Sequence, residues 1–318
     1  MLHHHLPRLL LHAFEFGRHA IGLCQAATQA VAFKLHSIGF LAGGDRTAAR
    51  SSDLKEPRRT RWRRPPRPSL YMITCPARSG STMLVHLLRS HTQICSHDEI
   101  FSPGKITGIT GTYLRQSREQ PDFIKCLSLE RNDDPVTFLY KIALDPQGKQ
   151  AVGFKLKHDE LVLPKYQTLR DQIIRDRNLR IIHLRRKNLL RRYLSHYIAN
   201  YVTHVTLAVL NQPVPEVPAV RLDPLECKRD FETVLARETT FERLFARHHG
   251  FAIEYEEMIV NDRRKIAALQ DFLGVSYMEL TTTTKKLGKH SLRNSIENFD
   301  ELRNYFRSTV YAKFFDED

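Results

Sequence analysis

Cysteine is scarce in this chain, and its spacing excludes the common cysteine-based sites. Only five of the 318 residues are cysteine, and they form no CxxC pair and no cysteine–histidine spacing that would hold zinc. An odd set of separated cysteines favours a reducing compartment over a disulfide framework. We therefore expect a cytoplasmic protein with neither disulfides nor a zinc site.

The chain also lacks a long uncharged apolar run. The mildly apolar stretch of residues 12–41 is interrupted by Glu15, Arg18 and Lys34, whereas a membrane-spanning helix needs roughly 18 or more uncharged residues. A conventional transmembrane anchor is therefore not expected. The segment RRTRWRRPPRP that follows at residues 58–68 is too rich in arginine and proline to build a core. We predict a domain boundary near Arg67.

On this division, residues 1–66 are a basic extension, poorly ordered or amphipathic, and residues 67–318 are the globular domain. Residues 1–68 hold twelve basic and four acidic side chains, so much of the net charge of +14 lies there. Two interpretations of the extension stay open. One is an arginine-rich targeting segment or one with weak membrane-surface contact, and the other is a leader without function.

Acidic residues are outnumbered, with 35 against 49 lysines and arginines. Such an excess suits a partner that carries phosphates or sulfates, and it suits nucleic acid or an anionic membrane equally well. Nucleic-acid binding is thus an alternative function for the chain. No zinc-finger spacing and no aromatic–basic RNA-binding signature supports it, so we expect no nucleic-acid partner.

From Ser69 onward, short apolar runs alternate with segments of helical periodicity, which is typical of parallel βαβ units. The predicted strands are residues 70–74, 93–96, 151–156, 179–184 and 251–255. The predicted helices are residues 82–90, 164–175, 189–200, 224–248 and 263–273. The pattern predicts an α/β fold in three layers, with a central parallel sheet flanked by helices. Residues 102–150 and 201–222 have weaker patterns, and we expect substrate-binding loops there.

The strongest local signal is LYMITCPARSGSTMLVHLL at residues 70–88, where an apolar strand runs through a short basic loop into a helix. The free N–H groups at such a helix N-terminus attract anions. Gly80 lets the backbone approach a phosphate, while Ser81 and Thr82 add hydroxyl donors. The segment therefore predicts a phosphate loop between a strand and a helix.

This loop is not a Walker A sequence. The motif GxxxxGK[ST] requires an earlier glycine, and it requires a lysine where Gly80 and Ser81 stand. In addition, no aspartate ends the strand at residues 179–184. Both features argue against a Mg²⁺-dependent kinase or nucleotide transferase, whose polyphosphate is held by a metal ion. That class remains an alternative, and it predicts Mg²⁺-dependent ATP turnover.

A second basic cluster follows the strand at residues 179–184. Arg185, Arg186 and Lys187 lie at the carboxyl end of this strand, and Asn188 is a suitable N-cap for the next helix. Ser195 projects from that helix on a face shared with further arginines. Such a cluster can hold a second phosphate.

The string PARSGSTML resembles the 5′-phosphosulfate-binding loop of sulfotransferases that use PAPS (3′-phosphoadenosine 5′-phosphosulfate). The resemblance is to the bacterial and carbohydrate branch, which includes trehalose and nodulation-factor sulfotransferases. It implies a P-loop-type fold, a hydroxyl-bearing acceptor such as a carbohydrate or glycolipid, PAP as product, and no required metal. The residues that it implies for the donor's 5′ end are Arg78, Ser79, Gly80, Ser81 and Thr82, and Arg78 also stabilises the departing phosphate.

The same resemblance implies that an arginine eight residues before a serine binds the 3′-phosphate of PAPS. Ser195 fits the serine, but Lys187 stands where the family has arginine, so Arg185 or Arg186 could take this role instead. A looser match near the C-terminus implies that Lys286, Lys289 and Arg293 close over the adenosine and the 3′-phosphate.

A catalytic base is implied by the segment SHDEIF at residues 96–101. Glu99 resembles the general base of the trehalose-type enzymes, which removes the proton from the acceptor hydroxyl as it attacks sulfur in line; Asp98 and His97 are the competing candidates. Lys155 and His158 lie at and just beyond the end of a predicted strand, where open α/β sheets place ligand groups. We assign them to the donor's sulfate or to the acceptor.

Overall fold

The structure is a computed structural model, and it describes residues 67–205, 216–284 and 291–316. The chain divides into two units, residues 1–66 and 67–318, and only the second contains described residues. The interpretations of the N-terminal extension therefore stay predictions. No helix in the described ranges is long and apolar enough to cross a membrane.

Five parallel strands form one central sheet with the order β2-β3-β1-β4-β5. Each strand lies within one residue of its predicted bounds: β1 Ser69–Cys75, β2 Ile94–Ser96, β3 Ala151–Lys157, β4 Leu179–Arg185 and β5 Gly250–Glu254. The sequence predicts β1, β2 and β3 well because their apolar runs are buried almost throughout, as in parallel sheets generally. The edge strand β5 has one buried residue, Ile253.

Twelve α-helices connect and flank these strands in the described part of the chain. The first six are α1 Ser81–Ser90, α2 Thr112–Glu119, α3 Phe123–Asp133, α4 Pro135–Phe138, α5 His158–Leu161 and α6 Gln167–Arg175. The other six are α7 Leu189–Tyr197, α8 Pro224–Leu244, α9 Tyr255–Ile259, α10 Arg263–Leu273, α11 Leu292–Ser295 and α12 Phe299–Phe306.

The helices cover both faces of the sheet. On one face, Met72 and Ile181 pack with Leu127 of α3 and Phe241 of α8. The opposite face, which includes Ile73, packs against α1 and α10. The fold therefore has the three α/β/α layers that the sequence predicts, and the loop between β1 and α1 leaves the central strand of the sheet.

Residues 102–150 differ from the expectation of loops, because they contain α2, α3 and α4. The apolar periodicity is weak here for a physical reason: α2 has no buried residue, and only Leu127 and Arg131 of α3 are buried. The 201–222 segment lies partly outside the described residues. A separate C-terminal cluster joins α7 and α8 to α11 and α12 around Phe231 and Phe306, and it supports the helix that carries Ser195.

Candidate active site

The phosphate loop, residues 76–82, has the shape of an anion cradle. Arg78 and Gly80 both have left-handed backbone conformations, with φ of 66° and 85°, and α1 begins directly after Gly80. The buried Ser79 hydroxyl donates to the carbonyl of Pro76 at 2.9 Å. The Ser79 side chain thus stabilises the turn, which leaves its backbone N–H, the other N–H groups and the hydroxyls of Ser81 and Thr82 as candidate donors to an anion.

Gly80 is required at its position because an aromatic ring lies against it. A Cβ added there would lie 2.3 Å from Cδ2 of Tyr255, the first residue of α9. The Arg186 guanidinium in turn lies over the Tyr255 ring, 4.6 Å from its centroid. Tyr255 therefore packs between the loop and the second basic cluster. The sequence motifs do not mark Tyr255 as a site residue.

The second cluster meets the loop directly. Arg78 Nε donates to Ser195 Oγ at 3.1 Å, although the two residues are 117 positions apart. Arg186 Nη1 donates to the carbonyl of Arg78 at 3.2 Å. Asn188 accepts from the N–H of Arg191 at 2.9 Å, which confirms it as the N-cap of α7. The two predicted anion-binding segments are therefore in direct contact.

Arg185 and Lys187 lie elsewhere. The half-exposed Arg185 side chain pairs with Glu242 of α8. Lys187 Nζ lies 2.7 Å from Glu254 Oε2, and this contact raises the pKa of the lysine. Of the three candidates, Arg186 is the one whose side chain contacts the phosphate loop.

Arg192, one of the arginines predicted to share a helix face with Ser195, also contacts the loop. Its nearly buried side chain donates from Nη1 to the carbonyl of Ala77 at 2.9 Å and pairs with Asp230 of α8. The signal in the sequence is its position three residues before Ser195, which puts both on one face of α7.

Glu99 lies between two lysines at the carboxyl end of β3. Its carboxylate oxygens are 2.9 Å from Lys155 Nζ and 3.0 Å from Lys157 Nζ. Lys155 is almost completely buried, and its Nζ also contacts Asp98 at 2.5 Å and Thr82 Oγ1 at 3.2 Å. One lysine therefore joins the candidate base to the phosphate loop.

The charges of these lysines control the protonation of Glu99. Burial acts to raise the pKa of Glu99, but Lys155 and Lys157 outweigh it and hold this pKa below its ordinary value. Burial likewise acts to lower the pKa of Lys155, while Asp98 and Glu99 hold it above its ordinary value. Glu99 is therefore a carboxylate at neutral pH, in the charge state that accepts a proton.

The remaining predicted residues lie in other surroundings. His158 is buried and stacks on Phe241 at 4.6 Å between ring centroids, and burial lowers its pKa to about 3. Arg293 forms two hydrogen bonds to Asp300, at 2.8 and 2.9 Å, and lies over the Phe299 ring. Lys286 and Lys289 lie outside the described residues.

Chemically, the site combines a positively charged cradle with an ionised carboxylate. The cradle offers backbone N–H groups, hydroxyls and guanidinium groups, which suit phosphate and sulfate oxygens. The carboxylate suits removal of a proton from a hydroxyl. Such a site can hold an anionic donor and activate a neutral acceptor.

Comparison with known proteins gives one sequence relative over most of the chain. The chain is 25% identical over 255 residues to Nodulation protein H of Rhizobium tropici, a match that covers 80% of this chain and 95% of that protein. No protein-family model matches the chain.

Solved structures with a similar course of the chain include a sulfotransferase from Alicyclobacillus acidocaldarius. It has a TM-score of 0.43 and 17% identity, over 79% of this chain and 97% of that one. A mouse sulfotransferase complexed with PAP has a TM-score of 0.38 and 12% identity, over 78% and 87% of the two chains. In line with the phosphate-loop motif, it is the sequence match to Nodulation protein H that supports a sulfotransferase family for this chain.

Proposed function

We propose that this protein transfers a sulfuryl group from PAPS to a hydroxyl group of a carbohydrate or glycolipid acceptor, by in-line transfer with Glu99 as general base. The observation that carries the proposal is the position of Lys155. Its Nζ contacts Glu99 at 2.9 Å and Thr82 of the phosphate loop at 3.2 Å, so the candidate base lies beside the candidate donor site.

The residues present fit a donor with two separate anionic groups. The phosphate loop, with the N–H groups at the start of α1, would hold the 5′-phosphosulfate. Ser195 and Arg186 would hold the 3′-phosphate, and the hydrogen bond from Arg78 to Ser195 links the two sites. When bound, PAPS supplies the sulfuryl group and leaves as PAP.

Glu99 would receive the proton of the acceptor hydroxyl as the oxygen of that hydroxyl bonds to sulfur and the bond from sulfur to the 5′-phosphate oxygen breaks. Its lysine neighbours keep it ionised at neutral pH, as this role requires. Arg78 and the loop N–H groups stabilise the negative charge that develops on the departing phosphate. Lys155 holds Glu99 at a fixed position relative to Thr82.

The acceptor class rests on the resemblance of the phosphate loop and Glu99 to the carbohydrate branch of the sulfotransferases. A carbohydrate hydroxyl is a weak acid, so its attack needs a positioned base. The carboxylate Glu99 meets that need.

Two measurements test the proposal. Isothermal titration calorimetry with PAP should show binding that is weaker for AMP, which lacks the 3′-phosphate. Incubation with ³⁵S-labelled PAPS and a panel of glycans, glycolipids and phenols should label a glycan or glycolipid. Absence of PAP binding would overturn the donor assignment, and labelling of the phenols alone would overturn the acceptor class.

A further inference from the structure

The loop that carries Glu99, residues 97–110, is closed on itself by backbone hydrogen bonds. The N–H of Asp98 donates to the carbonyl of Gly108 at 2.9 Å, and the N–H of Thr107 donates to the carbonyl of Glu99 at 3.3 Å. Gly108 has φ of 64°, and a Cβ there would lie 2.3 Å from Cβ of Asp98. This closed segment, the Glu99 loop, needs support from outside because it has no regular secondary structure across most of its length.

Arg131 of α3 supplies that support from beneath the loop. Its side chain is completely buried, and Nη1 donates to the carbonyls of Ile100 at 3.1 Å and Ser102 at 2.6 Å. Nη2 donates to the carbonyl of Gly104 at 2.9 Å. One guanidinium group thus binds three carbonyl oxygens in the five residues that follow Glu99.

Burying a guanidinium group is costly, and here it is compensated by hydrogen bonds to carbonyl groups of a loop. An apolar residue at this position of α3 would continue the core that Leu127 begins one turn earlier. The planar fork of arginine reaches several carbonyls at once, which the single ammonium group of lysine does not. The arginine therefore serves the conformation of the loop rather than the packing of the core.

A second arginine binds the other side of the same loop. Arg89, near the end of α1, donates from Nε to the carbonyl of Ser96 at 2.7 Å and from Nη2 to the carbonyl of Gly108. Because α1 begins at the phosphate loop, Arg89 ties the Glu99 loop to the donor site. Arg131 fixes the part of the loop that Arg89 does not reach.

We propose that Arg131 is a positioning residue that holds Glu99 against Lys155 and Lys157 through the carbonyls of Ile100, Ser102 and Gly104. The inference rests on the proposed role of Glu99 as base. It adds a residue far from Glu99 in sequence that sets where the carboxylate stands.

The charged groups around Glu99 determine the expected effect on pH dependence. They are Lys155 and Lys157 on β3, Asp98 in the same loop, Arg78 in the phosphate loop and Glu160 on α5. In Arg131→Met, the freed loop lets Glu99 move away from the two lysines. The pKa of Glu99 then rises, and the acid limb of the pH profile of kcat/KM moves to higher pH.

The test compares Arg131→Met with the wild type in a PAPS-dependent assay. We expect kcat to fall on the order of 10- to 100-fold, the acid limb to move to higher pH, and the Kd for PAP to stay unchanged. Arg180→Met is the matched control, since Arg180 also donates to a carbonyl, that of Phe272, from the amino-terminal end of β4. Its acid limb should not move.

A rate reduced by the same factor at every pH would overturn the proposal, because loss of folded protein alone has that effect. If Arg131→Met does not fold, Arg131→Lys allows the same comparison. Hydrogen–deuterium exchange separates this inference from the proposed function. Faster exchange at residues 100–107 in the variant supports the role of Arg131 in holding the Glu99 loop, even where Glu99→Gln keeps full turnover. Unchanged exchange at these residues would overturn that role.

Discussion

At the scale of single residues, the site depends on charged side chains that each contact two oppositely charged groups. Lys157 Nζ lies 3.0 Å from Glu99 and 3.2 Å from Glu160. Its charge therefore acts on two carboxylates at once. The one on Glu160 is nearly buried, and burial raises its pKa, while the one on Glu99 is partly exposed.

Lys157→Met tests how this sharing sets the proton affinity of the base. Removing the charge raises the pKa of Glu99, so Glu99 becomes protonated, and inactive as a base, at a higher pH than in the wild type. The acid limb of kcat/KM should move to higher pH while the Kd for PAP stays unchanged. Lys228→Met, which removes an exposed lysine paired with Glu232, is the control, and an unmoved acid limb in Lys157→Met would contradict the account.

Arg186 and Lys187 are neighbouring candidates for binding the 3′-phosphate, and substitution distinguishes them. Arg186→Met should weaken PAP binding by roughly 10- to 100-fold, since a charged hydrogen bond is worth about 1.5–3 kcal/mol, whereas Lys187→Met, at a lysine paired with Glu254, should change it far less. Calorimetric titration of both variants with PAP decides the question. A larger loss of PAP affinity in Lys187→Met would contradict the choice of Arg186 and favour Lys187, which lies eight residues before Ser195.

The sequence could not settle which basic residue binds the 3′-phosphate, because the side chains of three consecutive basic residues at the strand end point in three directions. Spacing from Ser195 points to Lys187, yet the turn after β4 brings Arg186 onto Tyr255 and the loop. The sequence indicates the buried position of Arg131 even less clearly. It lies one turn after Leu127 on the buried face of α3, but an arginine in a helix is usually solvated.

At the scale of elements, the unit from β1 to α1 was predictable almost to the residue. The apolar run, the glycine and the helical stripe that follows all agree on one local structure. The helices of residues 112–133 were not predictable, because they bury too few side chains to give an apolar period.

Gly80→Ala tests the closest contact in this unit. The new Cβ would stand at φ of 85° and collide with the Tyr255 ring. We expect the free energy of unfolding to fall by about 1–2 kcal/mol because of the left-handed backbone alone. We also expect a marked loss of PAP affinity, because the new Cβ displaces Tyr255 and the loop. Gly148→Ala separates the two causes, because Gly148 has φ of 79° and nothing within 4 Å of its added Cβ. It should lower the melting temperature without affecting PAP binding, and normal PAP binding by Gly80→Ala would contradict the packing argument.

At the scale of the whole molecule, the buried His97 and His158 and the half-buried His183 make stability depend on pH. Burial lowers the pKa of His97 and of His158 to about 3 and that of His183 to about 4, from an ordinary 6.5. Their contribution is present above the unfolded pKa of 6.5. It is lost as the pH falls from there towards about 4 for His183 and about 3 for His97 and His158, because the unfolded chain binds protons that the folded chain does not.

Denaturant unfolding at several pH values between 7 and 5 measures this effect. The free energy of unfolding should fall with decreasing pH, by up to about 1.4 kcal/mol per pH unit for each histidine. His183→Gln should reduce the slope whatever its effect on the absolute stability. An unchanged slope in that variant would show that His183 takes up its proton equally in both states.

The central claim is that Glu99 serves as the base of a PAPS-dependent sulfuryl transfer, and Glu99→Gln tests it most directly. The amide keeps the shape of the side chain but cannot accept the proton. Glu232→Gln, at an exposed glutamate of α8, is the matched control. We expect Glu99→Gln to bind PAP as the wild type does and to transfer no measurable ³⁵S from labelled PAPS to the acceptor, while the control keeps full activity. Turnover by Glu99→Gln at the wild-type rate would contradict the account.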